Sequence, residues 1–81
     1  MTGDDTRDGI DAFLEEMIVQ QRAKVLATAS SLDPRLTVDD ILSPQDFDVL
    51  AADPRFHYED GLLAGLLSAQ IALRAWFRRR S

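Results

Sequence analysis

Cysteine and asparagine are missing from the 81 residues, and histidine, tryptophan and tyrosine occur once each. Without cysteine no disulfide can stiffen the chain, and thiol nucleophiles and thiolate metal sites are excluded. A lone histidine, His57, leaves no imidazole pair at metal-ligand spacing. A chain this short buries only about 60 to 65% of the surface its unfolded form exposes. Small domains offset that shortfall with disulfides, a structural metal or oligomerisation. With no disulfide and few metal ligands, the composition points to oligomerisation.

A basic surface is also lacking. The net charge is −5, and the positive charge is confined to one end: the first sixteen residues hold six acids and only Arg7, whereas Arg74, Arg78, Arg79 and Arg80 close the chain with no acid among them. Neutralising phosphates needs a broader cationic surface, so nucleic acid is not the expected partner. The start, Met1-Thr2-Gly3-Asp4-Asp5, has neither the basic residues nor the apolar run of a secretory signal, which predicts a cytoplasmic protein.

Catalytic signatures are absent as well. There is no glycine loop for phosphate, no cysteine nucleophile and no serine with an evident histidine partner, so neither an enzyme nor a cofactor is expected. Asp46-Phe47-Asp48 lacks the third acid, the glycine and the distal glutamate of a calcium loop, and no metal is expected. The carboxylate pairs Asp39-Asp40, Asp46/Asp48 and Glu59-Asp60 fall near expected helix starts, where negative charge answers the helix dipole. His57, beside Tyr58 and Glu59, is the one side chain whose ordinary titration lies near neutrality and hence the one candidate pH switch.

What is present is helical grammar. Residues 1–7 are polar and read as a disordered lead-in, with a single helical domain over 8–81. Asp8 can cap a helix over about 8–31, on the order of 35 Å long, which Leu32-Asp33-Pro34 ends. Ile10, Phe13, Leu14, Met17, Ile18, Val25 and Leu32 form its apolar stripe. Gln21 and Thr28 fall in the middle of that stripe, so each is expected to be buried, to find a hydrogen-bond partner and to set register.

Asp33-Pro34-Arg35-Leu36 is echoed twenty residues on by Asp53-Pro54-Arg55-Phe56, and both copies read as helix starts. In the first, Thr37 and Asp40 can cap reciprocally while Leu36 and Ile41 form a hydrophobic staple. In the second, His57 is a poor cap and Gly61 replaces the staple residue, so that start leans on tertiary contacts or begins earlier, near Pro54. Ser43-Pro44-Gln45-Asp46 is a further start signal running through Phe47 to Ala52, and one or two short helices are expected within 37–52.

The last helix, about 58–79, is apolar nearly all round. Leu62, Leu66, Ala69, Leu73, Trp76 and Phe77 make its main stripe, which Leu63, Leu67 and Ile71 extend. Gly61, Ala64, Gly65, Ser68, Ala72 and Ala75 leave a small face where another helix can cross closely. Gln70 is the polar interruption before Arg74. A helix apolar on every side is buried on every side or lies in a membrane. The run 61–77 is too short for a span and carries Gln70 and Arg74, which favours burial by a second chain.

The expected architecture is an all-α hairpin of two long antiparallel helices with short connecting helices, completed to a four-helix-type bundle by a homodimer. The candidate interface is Gly61, Leu62, Gly65, Leu66, Ser68, Ile71, Ala72, Leu73 and Trp76, with Gln21, Thr28 and Gln70 as register residues. Arg74, Arg78, Arg79 and Arg80 are a candidate basic contact, for an acidic protein or for anionic lipid. The function expected is a non-enzymatic adaptor or accessory protein that associates helix to helix with itself and a protein partner. The alternative is a membrane-surface accessory using the basic end.

Overall fold

A computed structural model describes residues 3–80, and they form two long helices joined by short elements, with no strand among the described residues. Helix α1 spans Gly3–Leu32. Met1 and Thr2 of the expected lead-in lie outside the described residues, and its remainder is the first turns of α1. No proline interrupts residues 3–8, and an interior aspartate costs a helix only about 0.6 kcal/mol relative to alanine. Asp8 is accordingly an interior residue and not a cap. The helix ends in a clamp. Asp33 donates its N–H to the Ala29 carbonyl at 2.9 Å, and Arg35 returns Nε and Nη2 to the Asp33 carboxylate, each at 3.0 Å.

Two 3-10 turns follow, Asp40–Leu42 and Pro44–Asp46, and then a single turn of helix, α2, Asp48–Ala51. The reciprocal cap is formed: the Thr37 N–H donates to Asp40 Oδ2 at 2.9 Å, and the Asp40 N–H donates to Thr37 Oγ1 at 3.3 Å. Ser43 makes no side-chain cap. The one or two short helices read from the sequence are instead three pieces, because Ser43 (φ −129°, ψ 64°) and the extended Phe47 (φ −127°, ψ 111°) both leave helical geometry and divide the run. The second break lets Phe47 pack against the core while Leu50, one turn of helix later, is wholly buried. A four-residue helix is unstable alone, so this burial holds α2 in place.

Helix α3 spans Pro54–Arg80. It starts four residues before Tyr58 because the second Asp-Pro pair is its true beginning. Asp53 Oδ2 accepts the Phe56 N–H at 2.9 Å while Pro54, which has no N–H to satisfy, opens the first turn. Glu59 and Asp60 therefore lie inside the helix and not at its dipole end. His57 is no cap either: its Nε2 lies 2.6 Å from the Ala51 carbonyl, so the protonated ring nitrogen donates across the corner between α2 and α3.

The long helices run antiparallel and meet along a seam of three-and-four spacing. On α1 it passes through Asp11, Leu14, Ile18, Gln21, Val25, Thr28 and Leu32, and on α3 through Phe56, Glu59, Leu63, Leu66, Gln70, Leu73 and Phe77. This is the 3.5-residue repeat of paired helices. Ile18, Gln21, Val25, Phe56, Leu63 and Gln70 are all buried on it, and Ala29, Leu36 and Leu50 complete the core. The seam differs from the stripes read from the sequence. Ile10, Phe13 and Met17 on α1, and Leu62 and Trp76 on α3, are exposed. Both helices carry apolar residues around much of their circumference, and hydropathy alone assigns no phase to such a helix.

The molecule measures 48 × 19 × 18 Å with a radius of gyration of 15.7 Å. A compact domain of this length would have one of about 12 Å. The hairpin is one helix layer thick along most of its length. Among the described residues no helix is long and apolar enough to cross a membrane.

Candidate association surface

Three polar bridges fix how the helices register. Gln21 Nε2 donates to both the Glu59 backbone carbonyl and Glu59 Oε2 at 2.8 Å. Gln70 Nε2 donates to Glu15 Oε2 at 2.9 Å. Arg74 grips Asp11 with two bonds, Nε to Oδ1 at 2.6 Å and Nη2 to Oδ2 at 3.0 Å. Gln21 and Gln70 do what buried amides in a seam are expected to do, each satisfied across the pair. Thr28 does not: it is half-buried and donates to the Lys24 carbonyl of its own helix at 2.9 Å. A threonine one turn from an available carbonyl needs no partner on another helix.

The surface follows from the seam. At about 100° per residue, a residue just before a seam position lies on one flank of its helix and a residue just after it lies on the other. Antiparallel helices wind in opposite senses when viewed from one end and face each other, so their preceding residues share one face of the hairpin. Their following residues share the opposite face. The following-residue side is already occupied at the loop end. There Arg22 and Leu26 of α1 and Asp60 of α3 meet Val38, Ile41 and Leu42 of the connector around a cavity of about 270 Å³.

The preceding-residue face has no connector over it. Ile10, Phe13 and Met17 precede Asp11, Leu14 and Ile18. Leu62, Ala69 and Trp76 precede Leu63, Gln70 and Phe77, and the seam residues Leu66 and Leu73, only half-buried, reach this side between them. Phe13 is 63% exposed, Leu62 43% and Trp76 42%. From Leu62 to Trp76 this strip runs roughly 21 Å along the helix axis. It holds no ionisable side chain between Lys24 at one limit and, at the other, Arg79 and Arg80, which reach Trp76.

The candidate interface residues are therefore not brought to one face. Leu62, Leu66, Leu73 and Trp76 stand together on the uncovered side, joined by Ile10, Phe13 and Met17, which the sequence had assigned to the internal stripe. Ile71, 66% exposed, lies on the opposite flank. Gly61 and Ser68 point away from α1 altogether, whereas Gly65 and Ala72, just before Leu66 and Leu73, border the uncovered side. Among the described residues no helix crosses at Gly61 or Gly65, since a Cβ on either would meet nothing within 4 Å. The signal for this division was in the sequence as the seven-residue spacing Phe56, Leu63, Gln70, Phe77, with the buried amide marking the internal line.

The arginine end is similarly divided. Arg74 belongs to the seam, and its hydrogen bonds hold the Asp11 carboxyl below the ordinary carboxylate range while raising the guanidinium pKa. Arg80 lies over the Trp76 ring, 4.8 Å from its centroid, and Trp76 in turn meets Phe77 edge-on at 5.0 Å. Arg78 lines a shallow depression with Arg7, Asp8, Asp11 and Arg74. Arg79 stands beside Ala72, Leu73 and Trp76. Among the described residues no group of three or more histidine, aspartate or glutamate side chains is placed to hold a metal ion. No protein-family model, curated protein or solved structure matches the chain.

Proposed function

We propose that the chain is a non-enzymatic helical adaptor or accessory subunit that works by helix–helix association, its unit a homodimer completing a four-helix-type bundle. One observation carries this reading: among the described residues eleven large hydrophobic side chains are exposed, against seven buried hydrophobic ones. Five of the eleven, Ile10, Phe13, Met17, Leu62 and Trp76, lie on the connector-free side of a thin hairpin, and adjoining exposed apolar side chains of this kind support association. The cytoplasmic setting inferred from the sequence fits such a role. The membrane-surface alternative has less in its favour, because Arg74 is engaged by Asp11 and Arg80 by the Trp76 ring.

Association makes stability depend on protein concentration. The thermal midpoint, followed by circular dichroism, is expected to rise steadily over a hundredfold increase in concentration. A midpoint independent of concentration would refute the homodimer, and the adaptor reading would then rest on a different protein as partner.

A further inference from the structure

We infer that the chain dimerises through the connector-free face, with Ile10, Phe13 and Met17 of α1 and Leu62, Leu73 and Trp76 of α3 packed about a two-fold axis against the same residues of a second copy. The inference rests on the association reading above and adds which of three apolar or small-residue surfaces is used.

The exposed area is enough for a second copy. The chain exposes 5724 Å². A compact monomer of its mass would expose about 4,900 Å², leaving an excess of roughly 800 Å². That is about what each partner contributes to a standard protein–protein interface. The face also suits a two-fold contact, in which every group meets the same surface. An ionised side chain near such an axis would meet its own like charge, and this strip carries none between its limits. The two competing surfaces are less suitable. The opposite face bears Glu15, Asp60 and the connector, and the glycine side of α3 offers little side-chain area to bury.

The test places one substitution on each surface and reads the dimer dissociation constant by sedimentation equilibrium, with circular dichroism as the check on folding. Phe13→Lys and Leu62→Lys alter exposed positions on the proposed face, whereas Ile71→Lys and Gly61→Leu alter exposed positions off it. Phe13→Lys and Leu62→Lys should each weaken the dimer by at least about 30-fold with helicity retained. Ile71→Lys and Gly61→Leu should change it less than about threefold. A dimer that ignores Phe13→Lys and Leu62→Lys but yields to Ile71→Lys or Gly61→Leu would overturn the assignment of the face and leave the association reading standing. A wild-type chain that sediments as a monomer throughout would overturn the assignment of the face together with the homodimer.

Discussion

The two ends of the hairpin are built by different means. At the loop end Val25, Ala29, Leu36, Leu50, Phe56 and Leu63 are buried together, because the connector lies across the helix pair and supplies a second layer. At the opposite end of the hairpin, no third element packs on the helix pair among the described residues. Asp11–Arg74 and Glu15–Gln70 bridge the helices while Ile10, Phe13 and Trp76 remain in solvent. Where a layer is available, burial holds the structure. Where it is not, hydrogen bonds bridge the helices and apolar side chains stay exposed.

The sharpest way to break this contrast is to remove the wholly buried Phe56. Phe56→Ala deletes a ring from a site with no solvent access and should lower the unfolding free energy by about 3–5 kcal/mol in urea titration. That is a large share of the stability of so small a domain. If Phe56→Ala unfolds the chain outright, the milder Phe56→Leu preserves the comparison and should still lower the urea midpoint.

The next effect belongs to the buried amide at the open end. Gln70→Ala loses a charge-assisted bond and leaves a void, and is expected to cost about 1–2 kcal/mol. Gln70→Leu should recover most of that loss, since Glu15 is exposed and hydrates when released. It should also relax the register, seen as broadened NMR signals from α3 residues near Glu15. A Leu variant as poorly stable as the Ala variant would show that the amide contributes energy and not only register.

The smallest effect is electrostatic. The Asp11 carboxyl has its pKa lowered by the Arg74 hydrogen bonds, so the pairing stabilises the fold above about pH 4 and is lost as pH falls through that lowered value. Asp11→Asn should therefore have a slightly lower thermal midpoint than the parent at pH 7. The two should converge only once the pH has fallen below that lowered value. Because the pair is exposed, added salt should narrow the difference at pH 7 as well.

Much of this arrangement can be read before folding is considered. The capping pair Thr37 and Asp40, the Asp53-Pro54 signal and Gln21 within the α1 stripe are local signals whose chemistry permits few alternatives. The phase of α3 is a different matter. With leucines on adjoining flanks and alanines elsewhere, several orientations bury similar apolar area, so hydropathy ranks the Leu62 and Leu63 lines nearly alike. Burial of Gln70 with Glu15 as its acceptor separates them, and that depends on a partner 55 residues away in sequence. The break at Phe47 is equally non-local, since it answers the need to place both Phe47 and Leu50 toward the core. Whether the exposed lines are covered is a question about a second molecule, which no pattern within one chain encodes.

The claim that the uncovered face is half of an interface is tested most directly by molar mass from light scattering over a range of concentrations. For a chain of 9.1 kDa the dimer account gives about twice that mass at tens of micromolar, falling toward the single-chain value on dilution. A mass of one chain at every concentration would contradict it.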